Sequence, residues 1–316
     1  ENLRTRSVLA TTLKIIVNME IIIGYIGNGF IALVNFMLWV KRRKISLFDQ
    51  VLTALATCRI LLLCSLVMPL LIPVQFSEIL LAIKTVRISN IIWIITNHFN
   101  LWISTILSIF YFLKIANFSH SIFLYLKWRL KKVLSCTLLM SLFFLFLNIV
   151  LLNICIDVWY DGSIINISYI SNRRNFTQLY KSLMFTNSMF MFIPFTVSLT
   201  SFLLLIFSLG KHLKRMQHNA RGSRDVSTMA HIKALQTGVT FLLLYIIFLF
   251  SVSVQVLSLE LVDDNLITLW DRVIAIAFPS GHSCVLILGN NKLKQASALV
   301  WRWLRCKFKD TETKDP

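Results

Sequence analysis

Apolar residues in this chain come in long unbroken runs. They show neither the alternation of a half-buried strand nor the one-sided stripe of a soluble helix. A helix crossing the hydrocarbon core of a bilayer needs about 20 mostly apolar residues. Seven stretches reach that length: roughly Leu13–Val40, Gln50–Val74, Ile88–Leu113, Val133–Ile156, Ser182–Gly210, Ala234–Leu259 and Leu266–Gly289. Charge inside them is sparse. Lys14 and Glu20 lie in the first, Arg59 in the second, and Asp271 and Arg272 near the start of the seventh, while the third to sixth hold no Asp, Glu, Lys or Arg. A shorter segment, Lys292–Phe308, mixes basic residues with Trp301, Trp303 and Phe308. It predicts an amphipathic helix lying flat on the membrane surface. The pattern therefore predicts an all-α membrane protein: a seven-transmembrane helix bundle over residues 1–290, with a short amphipathic C-terminal helix and tail over 291–316. No internal repeat is recognisable, which argues against transporters built from repeats.

Composition agrees. Of 316 residues 57% are hydrophobic and 15% charged, against about half apolar and about a quarter charged in a soluble domain. The net charge of +18 would suggest nucleic acid if the basic residues formed one face. Instead they gather in alternate loops. Lys41 to Lys44 fill the first, Lys114, Lys127, Arg129, Lys131 and Lys132 the third, and Lys211, Lys214, Arg215, Arg221, Arg224 and Lys233 the fifth. The tail carries more, from Lys292 to Lys314. Such an excess marks the cytoplasmic side. The expectation is a multi-pass protein of the plasma membrane, N-terminus extracellular, C-terminus cytoplasmic, with membrane lipid and not nucleic acid as its surroundings. The first span is expected to serve as the insertion signal, since no cleavable leader is recognisable. The longest outer loop, about Asp157 to Lys181, holds two glycosylation triplets, at Asn166 and Asn175.

Chemistry-bearing residues are few. The six cysteines form no CxxC or CxxH pattern, so no metal site is expected. Catalytic signatures such as HExxH or GxSxG are absent, and neither an enzyme nor a cofactor is expected. In the third span Asn90, Trp93, Asn97, Asn100, Ser104 and Ser108 recur every three or four residues. They share one helix face, which should look into the bundle. Two readings apply: hydrogen bonding between helices, or a ligand cavity at the outer end, around Trp93 and Asn97. Arg59 needs a partner inside the bundle, and Asn28 is a candidate. Glu20 either faces a pocket or sits near the interface. Asp271 and Arg272 are either interfacial charges or, for Arg272, a group pointing into an outer pocket. Pro194 and Pro279 interrupt the fifth and seventh spans and free backbone carbonyls there. Lys211 and Arg215 continue the fifth span inward, as positive-inside charge or as a docking surface for an acidic partner. Cys306 on the amphipathic segment is either palmitoylated or a free thiol. A membrane channel or transporter for small solutes is the alternative class, disfavoured by the lack of charge in the third to sixth spans.

Several strings make the likeness specific. Gly27-Asn28-Gly29-Phe30-Ile31 stands in the first span, and Leu52-Thr53-Ala54-Leu55-Ala56 precedes Arg59 in the second. Phe110-Tyr111-Phe112-Leu113-Lys114-Ile115-Ala116-Asn117-Phe118-Ser119 ends the third, and His282-Ser283-Cys284 leads to Leu286-Ile287-Leu288-Gly289-Asn290 in the seventh. With them the chain resembles the type 2 taste receptors, the bitter receptors, over nearly its whole length. It differs from rhodopsin-like receptors in having no Asp-Arg-Tyr after the third span, Arg59 in place of an aspartate, and no cysteine at the start of the third span. The resemblance implies a G-protein-coupled receptor for small-molecule bitter agonists, acting through a heterotrimeric G protein of the gustducin or another inhibitory type. It implies a ligand site in the outer part of the bundle at Trp93, Asn97, His98, Phe190, Phe248 and Arg272. Structural or switching roles fall to Asn28, Arg59, Tyr111, His282 and Ser283. Lys114, Lys211 and Arg215 would face the G protein, and Asn166 or Asn175 would carry the glycan.

Overall fold

The computed structural model describes residues 2–71, 79–164, 173–219, 226–258 and 265–312. Seven long helices, each apolar enough to cross a membrane, run in chain order: α1 (Asn2–Arg42), α2 (Leu47–Leu71), α3 (Ile79–Ile115), α5 (Leu130–Ile164), α6 (Arg173–Asn219), α7 (Val226–Ser258) and α8 (Asn265–Gly289). A short α4 (Ser121–Trp128) lies between α3 and α5, and α9 (Asn291–Glu312) follows α8 after Asn290 alone. No strand occurs among the described residues.

The helices overrun the apolar stretches. The 47 residues of α6 span about 70 Å at 1.5 Å per residue. α5 and α6 together take up much of the expected outer loop, leaving residues 165–172 outside the description. A continued helix satisfies its own backbone groups as it leaves the apolar layer, and hydropathy does not register that extension.

The third loop holds structure that the basic pattern did not announce. His120 caps α4, its Nδ1 accepting from the Ile122 amide at 3.3 Å. Phe123 is buried edge-on against Phe112 and Phe118, at 5.4 and 5.2 Å between ring centres. Lys127 donates to the Ala116 carbonyl at 3.0 Å, just past the C-terminal end of α3, where a cation complements the helix dipole.

α3 is the central helix. It packs on α2, α5, α6 and α7, and every residue from Leu101 to Ile109 is buried. A helix buried all round belongs to a core. The aromatic part of that core joins Phe241, Tyr245 and Phe248 of α7 to Phe278 of α8. Outward, Phe143, Phe146, Leu203, Phe207 and Phe250 are exposed, an apolar surface suited to lipid and not to water. Small residues set the closest approaches. Gly24 of α1 lies against Ser280 of α8 and Leu63 of α2, and Gly238 of α7 lies against the Phe202 ring of α6. The Ser280 hydroxyl donates to the Glu20 carbonyl at 3.0 Å, sealing the α1–α8 contact as polar side chains do between membrane helices.

Candidate functional site

Trp93, Asn97 and His98 lie within two turns on the bundle-facing side of α3. They wall a cavity with Leu101 and Trp102 of α3, Asn148 of α5, and Asn187, Phe190, Met191 and Pro194 of α6. Its volume is about 20 Å³, room for one water molecule and far below a small-molecule pocket. Four buried atoms at this cavity lack a hydrogen-bond partner among the described residues: His98 Nε2, Asn148 Oδ1, and both amide atoms of Asn187. Unpartnered buried polar groups are costly, so a void rich in them is suited to a polar guest. Asn97 aside, the rest of the wall is apolar, part aromatic and part aliphatic. His98 meets Phe99 edge-on at 5.7 Å, and Trp102 stacks on Phe144 at 5.9 Å.

Pro194 interrupts α6 beside this cavity. Its own carbonyl lies 3.1 Å from Thr105 Oγ1, which also meets Ser198 Oγ at 2.9 Å, and the Tyr245 hydroxyl donates to the Met191 carbonyl at 2.9 Å. Hydroxyls from α3 and α7 thus bond carbonyls of α6 within one turn of the proline.

Phe248 and Arg272 stand apart from the cavity lining. Phe248 is buried and stacks on Phe278 at 5.2 Å. Arg272 is half-buried, and its neighbour Asp271 accepts from Ser251 Oγ at 3.2 Å, fixing α8 to α7.

Deeper in the bundle, Arg59 is fully buried. Its Nε donates to Asn100 Oδ1 at 3.2 Å and its Nη1 to Ser283 Oγ at 3.2 Å, while Nη2 meets His282 Nδ1. A guanidinium only donates, so His282 accepts through Nδ1 and carries its proton on Nε2. Asn28 is not the direct partner expected for Arg59. It is reached through Ser283, whose hydroxyl lies 2.7 Å from both Asn28 Oδ1 and the Pro279 carbonyl. Ser283 fits against α1 at Gly27, where an added Cβ would lie 3.5 Å from the Ser283 Cβ. One cluster thereby ties α1, α2, α3 and α8 together. Tyr111 is not part of it: its ring packs on Phe48 at 5.7 Å near the inner end of α3.

Lys114 and Lys211 are exposed at the same end. Arg215 and Asn175 fall within α6, but their side chains lie outside the described residues, as does the whole of Asn166. All six cysteines are free thiols. The sequence reading missed Asn148, Asn187 and Thr105. The first two are isolated amides in otherwise apolar spans, and that rarity was the available signal.

Comparison with known sequences adds lineage to this geometry. A family model described as "Taste receptor protein (TAS2R)" matches residues 6–305. "Taste receptor type 2 member 140" of Rattus norvegicus is 54% identical over 298 residues, covering 94% of this chain and 96% of its own length. "Taste receptor type 2 member 125" of the same species is 52% identical over 301 residues, covering 95% and 96%. "Taste receptor type 2 member 14" of Macaca mulatta is 49% identical over 305 residues, covering 96% of each chain.

Proposed function

The chain belongs to the taste receptor type 2 family, bitter-sensing G-protein-coupled receptors of the membrane, and on that premise we propose where it binds its agonist and how the signal leaves. The agonist enters from the extracellular side, where the N-terminus lies, and occupies the space walled by Trp93, Asn97, His98 and Phe190. The observation that carries this reading is their convergence on one cavity that also holds four unpartnered polar atoms. The volume of about 20 Å³ is too small for a drug-sized molecule. An agonist must part α3, α5 and α6 to enter, and it shifts the population only as far as it prefers the parted form. Phe248, stacked on Phe278, and Arg272 lie outside the present lining, and Arg272 guards the outer approach.

α3 runs from this cavity past the Arg59 cluster to Tyr111 and Lys114. Displacement of α3 at the cavity therefore loads the Asn100–Arg59 contact and moves the inner end, where Lys114, Lys211 and Arg215 meet an inhibitory G protein of the gustducin type. The receptor performs no bond chemistry, because nucleotide exchange occurs on the partner. The working location is the plasma membrane, with glycan on Asn166 or Asn175.

The test is calcium release in cells carrying a promiscuous taste-type G protein, screened against a panel of bitter compounds. Trp93→Ala at unchanged surface expression should raise the half-maximal concentration at least about tenfold, near 1.4 kcal/mol. A response of parental potency in that variant would place the agonist elsewhere.

A further inference from the structure

A second cavity, of about 510 Å³, opens at the opposite end of the bundle, where the start of α9 passes the turn between α1 and α2. Its walls include Leu38 and Trp39 of α1, Lys44 and Ser46 of the turn, Asp49 of α2 and Lys292 of α9. The turn is tightly specified. Arg43 takes a left-handed φ of 52° and donates to the Trp39 carbonyl at 2.7 Å. Ser46 caps α2, its Oγ accepting from the Asp49 amide at 3.1 Å and donating to Asp49 Oδ2 at 2.6 Å.

Asp49 is the informative residue. Its side chain is 9% exposed. Oδ2 receives Ser46 and, at 3.1 Å, the ammonium of Lys292. Oδ1 is buried and receives nothing. A buried carboxylate oxygen calls for a donor. Lys44, also on the wall, is exposed and pairs with no described carboxylate. The site thus offers one unmet acceptor and one unmet cation, and its complement is a group that carries both an N–H cation and an anion.

Position says where that group comes from. The last turns of α1 expose Phe36, Met37, Trp39 and Val40, an apolar flank with a tryptophan at the level where headgroups begin. α9 exposes Trp301 and Trp303, side chains that suit a helix lying in the interface. We propose that this cavity binds the headgroup of an aminophospholipid, phosphatidylethanolamine or phosphatidylserine, with its phosphate at Lys44 and Lys292 and its ammonium on Asp49 Oδ1. The orientation given under the proposed function enters only in naming the leaflet, the cytoplasmic one. The bound lipid clamps α9 to the α1–α2 turn. Phosphatidylcholine has the phosphate but no N–H, and phosphatidylglycerol has no cation, so neither meets both demands.

The test is native mass spectrometry of the purified full-length receptor in detergent, titrated separately with POPE, POPS, POPC and POPG. POPE should be retained at least about tenfold more strongly than POPC and POPG. POPS above POPE would assign the serine lipid, and the reverse order the ethanolamine lipid. Asp49→Asn should bring POPE down to the level of POPC. Lys44→Gln, at a side chain with no partner among the described residues, should weaken every phospholipid alike. Equal retention of all four lipids overturns the proposal, and so does a POPE preference that survives Asp49→Asn or phospholipid retention unchanged by Lys44→Gln. Agonist response does not enter this readout, so it stands or falls separately from the agonist site.

Discussion

Arg59 on α2 donates from Nε to Oδ1 of Asn100 on α3 over 3.2 Å, and neither side chain is exposed at all. The other two partners of this buried cation, Ser283 and His282, are also uncharged. Its charge is spread over dipoles from α3 and α8 and not cancelled by a carboxylate. The planar fork of arginine suits that task, because it presents donors in several fixed directions at once.

Arg59→Lys is therefore not a conservative change. An ammonium on a flexible stem cannot serve acceptors on α3 and α8 with the same geometry, and at least one loses its donor. We expect a loss of about 1–3 kcal/mol, read as denaturation of the purified receptor in detergent. Unfolding at the parental midpoint would mean that the cluster contributes nothing to stability.

Asn187 should behave in the opposite sense. Both its amide atoms are buried without partners beside the small cavity. Asn187→Leu removes that cost and is expected to stabilise the unliganded receptor by about 1–3 kcal/mol. The same variant should lose agonist potency by about tenfold or more in the calcium assay. Destabilisation would instead show that the amide supports the fold.

A close approach offers a third check. A Cβ at Gly238 would run into the Phe202 ring, and both sites lie in a well-packed core. Gly238→Ala is expected to destabilise by about 1–3 kcal/mol. Combining it with Phe202→Leu should cost less than the two single effects added, since the residues share one space. Simple additivity in the double-mutant cycle would count against the clash.

Arg272 separates an inner from an outer agonist position. It is absent from the lining of the cavity that Trp93 and Phe190 share. Arg272→Ala should move the half-maximal agonist concentration by no more than about threefold, under ~0.7 kcal/mol. A shift as large as that of Trp93→Ala would bring the agonist outward, against the start of α8.

The seven spans were legible because a bilayer demands about 20 apolar residues whatever the helices do next, and the amphipathic segment because basic residues interleave with Trp301, Trp303 and Phe308 in a stretch too short and too charged to span. The face of α3 was legible for a similar reason. An amide at a period of three or four in an apolar helix has nowhere to point but inward, and Asn97, Asn100, Ser104 and Ser108 are indeed buried. Lone amides such as Asn148 and Asn187 have no period, and only the meeting of α3, α5 and α6 revealed that they share a cavity with His98. α4 was hidden because its apolar run is far too short to span a bilayer, and Phe123 is its one buried residue.

Chain composition and spacing determined that this protein crosses a membrane seven times, that one face of α3 turns inward and that Arg59 must find company. Which company it finds was decided by tertiary structure alone. Hydropathy and helical period are properties of one segment. A hydrogen bond across 224 residues, from Arg59 to Ser283, depends on how closely α8 approaches α1 and α2, and that distance is set by Gly24 meeting Ser280 and Leu63.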